Sequence, residues 1–300
     1  MERRKFIQSS SLAFGGLMVS PQLLAAPDLR KTTKITILHT NDTHSNIDAF
    51  PANHAKYANL GGVSRRHELI QKIRFQEENV LLLDAGDIFQ GTPYFNRFGG
   101  LLEMKLMSHL GYDAATMGNH DFDGGLDGFL KAKEFANFPF LCSNYDFTNT
   151  ILDGHTKSHH IFEKSGLKIG VFGLGIALNG LVSDLQFKET KHLDPIEMAQ
   201  ESIKKLKEAK VDLIICLSHL GYEYASEKIS DRKLAQKTDG IDLIIGGHTH
   251  TFLEKPTVEY NLGGNITLVN QVGWAGVQLG RVDFYVGNNV KSESGLILID

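Results

Sequence analysis

The chain contains the stretch Gly118-Asn119-His120-Asp121-Phe122-Asp123, which places an amide, an imidazole and two carboxylates within six residues. It directly follows an apolar segment, Asp113 to Met117, that has the character of a buried strand. Polar groups in such a position are costly to fold unless other groups bind them. We therefore expect the rest of the chain to supply partners for this loop.

Four other segments repeat this layout, in which a short β-type run ends in a polar loop. The runs and their loops are Ile35–His39 before Thr40–His44, Val80–Asp84 before Ala85–Asp87, Leu213–Leu217 before Ser218–His219, and Ile241–Ile245 before Gly246–His250. Open α/β sheets bind ligands beyond the carboxyl ends of their strands, so five such ends can converge on one site. That convergence is the predicted functional site.

Helical spacing separates these strands and completes the alternation of an α/β layer. The apolar pattern predicts helices over residues 61–78, 96–110 and 126–136, and another that opens at Pro195. Short strands are expected at 140–143, 161–163 and 169–174, with hairpins in 144–160. Past His250 the pattern predicts strands alone, at 257–260, 266–270, 277–285 and 295–300. We expect one domain, residues 34–300, with two sheets.

The N-terminal 26 residues have a different composition. Arg3-Arg4, a Ser-rich apolar run and Ala25-Ala26 are typical of a twin-arginine signal peptide over residues 1–26, followed by a linker over 27–33. A membrane-spanning helix needs about 20 predominantly apolar residues, and Ser, Gly and Pro interrupt this run. The sequence thus predicts export to the bacterial periplasm or cell envelope, with no membrane attachment after signal removal.

Composition excludes several classes of function. At 300 residues and 42% hydrophobic content the chain can bury a full core, which favours a globular protein over a disordered one. The net charge is −4 and falls further without residues 1–26, so no basic surface for a nucleic-acid polymer is expected. Cys142 and Cys216 both lie in apolar context, which predicts two buried free thiols.

The five strand-end loops offer several groups that could bind metal. They are Asp42, His44, Asp87, Asn119, His219, His248 and His250. Nitrogen and oxygen donors without thiolates suit Mn, Zn, Fe or Co ions, and their number is sufficient for two ions. A single histidine after a strand is more often a capped or solvated residue. We assign to that class His39, His54, His67, His109, His155, His159, His160 and His192.

The motifs resemble those of the calcineurin-like metallophosphoesterases in their order and spacing. These are Asp42-x-His44, Gly86-Asp87, Gly118-Asn119-His120-Asp121, His219 and Gly247-His248-x-His250. Their flanking residues are most similar to the catalytic N-terminal domain of the bacterial 5′-nucleotidase and 2′,3′-cyclic phosphodiesterase family. The resemblance implies a four-layer α/β/β/α sandwich of two mixed sheets, with the metal site at the C-terminal ends of the strands.

The resemblance also implies roles for single residues. A first ion would be held by Asp42, His44, Asp87 and His250, and a second by Asp87, Asn119, His219 and His248. His120 would be the general acid at the leaving oxygen, and Asp123 would fix its tautomer. Asp121 and Asp84 are expected to be structural instead.

These roles predict an exported dinuclear-metal phosphoesterase that hydrolyses phosphate monoesters, either nucleotides or similar small phosphates. Full-length nucleotidases of the family carry a C-terminal domain that binds the base and the phosphate, and this chain ends at Asp300. An alternative is therefore the catalytic half of a split 5′-nucleotidase that needs a separately encoded substrate-binding domain. A second alternative is a non-catalytic metal-binding module, which would have no need of His120 and Asp123.

Overall fold

The computed structural model describes residues 32–287 and 291–300. The predicted signal peptide, residues 1–26, and the predicted linker as far as residue 31 lie outside the described residues. The first strand begins at Thr33, one residue before the predicted start of the domain. Within the described part of the chain, no helix combines the length and the apolar character that crossing a membrane requires.

The first sheet has five strands in the spatial order β13, β12, β1, β2, β3. Their bounds are β1 (Thr33–Thr40), β2 (Val80–Asp84), β3 (Ala114–Ala115), β12 (Gln278–Val286) and β13 (Lys291–Leu298). β1 pairs parallel with β2 and antiparallel with β12, so the sheet is mixed. Of the two late strands in this sheet, β12 is antiparallel to β1, and β13 pairs antiparallel with β12 at the edge.

The second sheet has six strands in the order β10, β11, β9, β8, β6, β5. Their bounds are β5 (His159–Lys164), β6 (Leu167–Leu174), β8 (Leu213–Ser218), β9 (Leu243–Gly246), β10 (Thr257–Tyr260) and β11 (Ile266–Asn270). The four central strands are parallel, whereas β5 and β10 pair antiparallel at the two edges. A small separate sheet pairs β4 (Tyr145–Asp146) with β7 (Lys191–His192).

The outer faces of the two sheets are covered by α-helices, and seven α-helices occur among the described residues. They are α1 (Val63–Gln76), α2 (Pro93–Phe98), α3 (Leu101–Leu110), α4 (Gly125–Lys133), α5 (Asp184–Phe187), α6 (Pro195–Glu208) and α7 (Asp231–Lys237). The helix that opens at Pro195 begins as the sequence predicts, because the side chain of Asp194 accepts hydrogen bonds from the amides of Ile196 and Glu197.

The alternation of side chains along the strands produces the layers. Ile35 and Ile37 of β1 face Ile169 and Val171 of β6 in a core between the two sheets. Leu38, on the opposite face of β1, packs with residues of α1, α3 and α4, and the outer face of the second sheet packs against α6 and α7. The predicted four-layer α/β/β/α sandwich of two mixed sheets is confirmed.

Several predicted elements differ from the structure. The helix expected over 96–110 is two helices, because Gly99 and Gly100 both adopt left-handed backbone (φ 58° and 88°) and end α2 before α3 begins. The strand expected at 140–143 is reduced to isolated bridges from Phe140 to Ala115 and from Leu141 to Lys157. In 144–160 the structure has β4 and the start of β5, and the sheet of β4 and β7 was not predicted.

His39 also differs from its prediction as a capped or solvated residue. Its side chain is fully buried in β1, and its Nε2 lies 2.9 Å from the side-chain Nδ2 of Asn270 at the end of β11. Burial lowers the pKa of His39 to about 3, so the ring is neutral and accepts that hydrogen bond. The pair joins the two sheets close to the ends of β1 and β11.

Candidate metal centre

The polar loops after β1, β2, β3, β8 and β9 come together at one end of the sandwich. Two groups of predicted ligands form there, each with its donor atoms within 4.8 Å of one another. The first group is Asp42, His44 and His250, and the second is Asp87, His219 and His248. Both groups fit the division into two ion sites that the family resemblance implies.

Asp87 lies between the two groups. Its Oδ2 is 3.0 Å from His219 Nε2 in the second group and 3.8 Å from His44 Nε2 in the first. Asn119, the predicted ligand that completes the second group, has its Oδ1 2.9 Å from His248 Nδ1. All seven predicted ligands are therefore within one continuous cluster, and Asp87 occupies the position expected of a bridging carboxylate.

Hydrogen bonds orient two of the histidine rings. His219 Nδ1 is 2.7 Å from the carbonyl oxygen of Ala85, and His44 Nδ1 is 3.2 Å from that of Phe89. A carbonyl can only accept, so Nδ1 carries the proton in each neutral ring and the Nε2 lone pair faces the cluster. Backbone carbonyls thus select the tautomer that a metal ligand needs.

His219 provides a direct test of whether the residues present fit a cation. Its Nε2 is fully buried and has no hydrogen-bond partner of acceptable geometry, although Asp87 Oδ2 is only 3.0 Å away. Buried polar atoms are rarely left without a partner. A cation held between the imidazole nitrogen and the carboxylate would satisfy both, so the donor set fits a divalent metal.

The pKa shifts within the cluster also favour a bound cation. Burial disfavours the charged form of Asp87, but the neighbouring His219, His44 and His120 outweigh it and lower the pKa of the carboxyl. Burial likewise opposes a charge on His219, yet the carboxylates of Asp87 and Asp42 raise its pKa. The two carboxylates thus favour positive charge at this point, which a metal ion would supply.

Unusual backbone conformations aim the ligands. Asp42, His44, Asp87, His248 and His250 all have positive φ, between 47° and 70°. This left-handed region is sparsely populated by residues other than glycine. Such conformations cluster where the surrounding structure over-determines them, often at functional sites. Here they curl each loop so that the side chain turns back toward the cluster.

Contacts between loops fix these conformations. The backbone amide of His248 donates to both carboxylate oxygens of Asp42 at 3.0 Å, and the amide of His120 donates to Asp87 Oδ1 at 2.7 Å. Gly118 lies so close to Asp87 and His219 that a Cβ at this position would collide with both. The loop that carries Gly118 is therefore in close contact with Asp87 and His219.

Two carboxylates predicted to be structural have their oxygens satisfied by the protein. Both oxygens of Asp121 accept hydrogen bonds from backbone amides, and the side chain is fully buried. Asp84 accepts from Thr40 Oγ1 at 2.5 Å and from the amide of Gly86 at 2.9 Å. Burial raises the pKa of Asp84 to about 7. These hydrogen bonds are those expected of structural carboxylates.

His120 lies beside the first group with its side chain partly exposed. Its Nδ1 is 2.8 Å from Asp123 Oδ2, and its ring centroid is 5.2 Å from that of His44. The hydrogen bond to Asp123 raises the pKa of His120, with Asp87 adding to the effect against partial burial. The carboxylate holds the Nδ1 proton, so Nε2 is free to exchange a proton with a bound molecule.

A sixth loop at the site was not predicted. Gln271 directly follows β11, and its side chain contacts the loop between β9 and His250: Nε2 donates to Gly247 O at 2.6 Å, and Oε1 accepts from Thr249 Oγ1 at 3.0 Å. The signal was present in the sequence, because an apolar strand followed by Asn270-Gln271 repeats the layout of the other five loops. It was missed because this loop carries neither a histidine nor an aspartate.

Both predicted thiols are free and buried, which confirms that prediction for Cys142 and Cys216. Burial raises the pKa of each thiol, so both are inert at neutral pH. Neither cysteine belongs to the donor groups described above. The candidate centre is thus formed by nitrogen and oxygen donors.

Comparisons with known proteins agree with the fold. The family model of the calcineurin-like phosphoesterases matches residues 35–252. A snake venom 5′-nucleotidase from Gloydius brevicauda is 34% identical over 89% of this chain, and the match spans 48% of the venom protein. The chain thus spans about half the length of that curated relative.

Two solved structures are similar over most of the chain. A 5′-nucleotidase precursor from Thermus thermophilus superposes with a TM-score of 0.79 at 31% identity, over 89% of this chain and 55% of that one. The calcineurin-like phosphoesterase YfkN from Bacillus subtilis superposes with a TM-score of 0.74 at 28% identity, over 90% of this chain and 92% of that one. The chain therefore belongs to the calcineurin-like phosphoesterase family.

Proposed function

We propose that the protein is an exported metal-dependent phosphoesterase that binds two divalent ions and hydrolyses phosphate monoesters such as nucleotides. The observation that carries this proposal is the position of Asp87 between two groups of donors, with the His120–Asp123 pair beside them. A metal-binding module would need the donors alone. The adjacent proton donor favours a catalyst.

In this proposal Mn, Zn, Fe or Co ions are bound by the residues that the resemblance assigns. Asp42, His44, Asp87 and His250 hold the first ion, and Asp87, Asn119, His219 and His248 hold the second. The chemistry that divalent ions supply at such a site is polarisation of phosphoryl oxygens and a lower pKa for a water molecule. The proton transfer to the leaving group is assigned to residues of this chain.

His120 is the proposed general acid. The Nδ1–H group of His120 donates a hydrogen bond to Asp123. When the ring is protonated, its second proton is on Nε2 and can be transferred to the leaving oxygen of the ester. The partly exposed ring, with 38% of its side chain accessible, can reach a substrate that enters from solvent. The amide of His120, bound to Asp87 Oδ1, keeps this acid at a fixed place relative to the bridging carboxylate.

The substrate class rests on the relatives. The venom relative and the Thermus structure are both named as 5′-nucleotidases, which supports nucleotides or similar small phosphates as substrates here. The twin-arginine pattern at residues 1–26 and the description of the Thermus protein as a precursor support export to the periplasm or cell envelope. No nucleic-acid polymer is expected as a partner.

An activity assay with matched variants tests the proposal. Protein loaded with Mn²⁺ should release phosphate from p-nitrophenyl phosphate and from AMP, and a chelator should abolish the release. His219→Ala should be inactive, whereas His155→Ala, at an exposed position outside the site, should match the wild type. A metal-loaded wild type that releases no phosphate from nucleotides, cyclic nucleotides or p-nitrophenyl phosphate would overturn it.

A second candidate is the catalytic half of a split 5′-nucleotidase. It is favoured by the coverage of the relatives, since the match spans 48% of the venom protein and 55% of the Thermus chain. The additional domain would be encoded separately and would dock over the metal centre. Mixing the protein with such a domain should then raise turnover of AMP while leaving that of p-nitrophenyl phosphate unchanged. Equal turnover of AMP with and without the domain would exclude this candidate.

A further inference from the structure

The segment Gln271–Ala275, which follows β11, is bound to the loop that carries the first predicted ligand. Val272 N donates to Asn41 Oδ1 at 2.9 Å, and Asn41 Nδ2 donates to Gly273 O at 2.6 Å. The amide of Ala275 donates to the backbone oxygen of Asp42 at 2.7 Å. Three hydrogen bonds thus fix this segment against Asn41 and Asp42.

The same segment is bound to the loop that carries His250. Gly273 N donates to the backbone oxygen of Thr251 at 2.9 Å, and Gln271 Oε1 accepts from the amide of Thr251. The ligand loops after β1 and β9 come from different sheets and are far apart in the sequence. The segment Gln271–Ala275 therefore bridges the loops of Asp42 and His250, in addition to the direct hydrogen bonds from the amide of His248 to Asp42.

Trp274, within this segment, stacks on the ring of His250. The two ring centroids are 5.7 Å apart and the ring planes differ by 9°. Trp274 Nε1 donates to Tyr57 OH at 3.3 Å, and Phe50 packs against the indole with its edge at a centroid distance of 6.1 Å. Tyr57 and Phe50 thus fix the position of the indole, and one of its faces packs on the ring of His250.

His250 lacks the anchor that the other oriented rings have. Nδ1 of His44 and of His219 is bound to a backbone carbonyl, but among the described residues His250 Nδ1 has no hydrogen-bond partner. Its side chain is also 41% exposed, against 7% for His44 and none for His219. Its Nε2 lies 3.0 Å from His44 Nε2, and the indole face is in place to restrain the rest of the ring.

We propose that Trp274 is a positioning residue that fixes the orientation of His250 and thereby the affinity of the first metal site. The inference rests on the metal centre of the proposed function. Groups that orient metal ligands typically contribute about 10–100-fold to metal affinity. The second site, which His250 does not join, should be independent of Trp274.

The composition of the chain supplies a built-in signal. Trp274 is the single tryptophan in the 300 residues, so all tryptophan fluorescence comes from the ring that stacks on His250. Binding of paramagnetic Mn²⁺ to His250 should quench this emission. The quenching should follow the filling of the first site and should be absent in His250→Ala, while filling of the second site should leave most of the emission.

Mn²⁺ binding to the full protein tests the proposal, with affinities measured by equilibrium dialysis and calorimetry. Trp274→Leu removes the aromatic face and should weaken one of two sites by about 10–100-fold. Trp274→Phe keeps an aromatic face and should retain most of the affinity. Phe75→Leu, at a side chain that is 93% exposed on α1, is the control and should bind as the wild type.

The outcomes separate this inference from the proposed function. A wild type that binds no Mn²⁺ would overturn both. Two Mn²⁺ ions bound with wild-type affinity by Trp274→Leu would overturn the role of Trp274 alone. If Trp274→Leu does not fold, the fluorescence of the wild type still decides, because an emission that stays unchanged after two equivalents of Mn²⁺ have bound contradicts a contact between Trp274 and a metal ligand.

Discussion

The side chain of Asp121 holds the backbone of Asp87: Asp121 Oδ2 accepts a hydrogen bond from the Asp87 amide at 3.0 Å. The same carboxylate accepts from the amides of Ile88, Phe89 and Gly118 at 2.8 to 3.2 Å. Asp121 thus binds the loop after β2 to the loop after β3, although it is not a predicted ligand. Asp121 belongs to the motif Gly118–Asp123, which most resembles a metal-binding loop, but its carboxylate binds backbone amides and not a metal ion.

Replacement of Asp121 by Ala should destabilise the fold. It would leave four buried amides without partners, and each unsatisfied buried group costs about 1–3 kcal/mol, so a loss of at least about 4 kcal/mol is expected. The urea midpoint measures this loss. Asp127 lies on α4, and its exposed carboxylate pairs with Lys188. Asp127→Ala should change the free energy of unfolding by less than about 0.5 kcal/mol. Equal midpoints for the two variants would show that the amide contacts contribute nothing.

Metal stoichiometry should distinguish the bridging ligand from a terminal one. Asp87→Ala removes a ligand from both proposed sites and should lose both ions. His250→Ala affects the first site alone and should keep one ion. Metal content of dialysed protein, measured by inductively coupled plasma mass spectrometry, reports the difference. One retained ion in Asp87→Ala would mean that Asp87 does not bridge.

His120 and Asp123 should act as one unit in catalysis. His120→Ala is expected to keep its metal and to lose about 10²–10⁴-fold in turnover, as for a lost general acid. Asp123→Ala should lose less, because the imidazole remains. The double variant should be no slower than His120→Ala, since Asp123 acts through His120. Losses that multiply in the double variant would assign Asp123 a separate role.

Two Gly→Ala changes should differ in outcome: Gly118→Ala should weaken metal binding, and Gly128→Ala should stabilise the fold. At Gly118 a Cβ would collide with the carboxylate of Asp87 and approach His219 Cε1 to 2.6 Å, so metal affinity should fall. At Gly128, inside α4, a Cβ would meet nothing within 4 Å, and Ala should stabilise the protein by about 0.4–1 kcal/mol. Calorimetric titration with Mn²⁺ and thermal unfolding measure the two effects. Unchanged metal affinity in Gly118→Ala would contradict the close packing of the loops.

Asp242, between α7 and β9, should give stability a dependence on pH. Burial raises its pKa from the ordinary value near 3.8 to about 6, although the hydrogen bond that it accepts from Ile214 N lowers the pKa. The folded protein therefore binds the proton more tightly than the unfolded chain, and stability should fall as pH rises through this interval. Asp242→Asn should be more stable than the wild type at pH 8, by roughly 1–3 kcal/mol, and equal to it near pH 4. Denaturation curves of both proteins at pH 4 and pH 8 measure the difference in their free energies of unfolding. The same difference at both pH values would exclude the role of Asp242.

The sequence pattern was sufficient for the two sheets and for the convergence of the loops, whereas the four layers followed from the family resemblance. Strand-end loops such as Asp42-x-His44 carry their own signal, because an apolar run that ends in metal-binding side chains is a local pattern. The direction of Asp121 could also be predicted, since a buried carboxylate next to a turn finds backbone donors. These features depend on residues that are near one another in the sequence.

Features that depend on distant residues could not be predicted. The burial of His39 follows from its contact with Asn270, which lies 231 residues later. The break between α2 and α3 comes from left-handed backbone at Gly99 and Gly100, within a pattern that continues the helical spacing. The stacking of Trp274 on His250 needs the pairing of β11 with β9, and single residues do not encode that contact.

The left-handed backbone of the ligand loops limits how this centre could be transferred to another protein. A design that copied the seven side chains onto the strand ends of a different parallel sheet would lack the φ values near 50° at Asp42, His44 and Asp87. Its donor atoms would point along the strands and away from a common ion. Grafting would need the connecting loops as well, including Gln271–Ala275, so the smallest transferable unit is the complete edge of the sandwich.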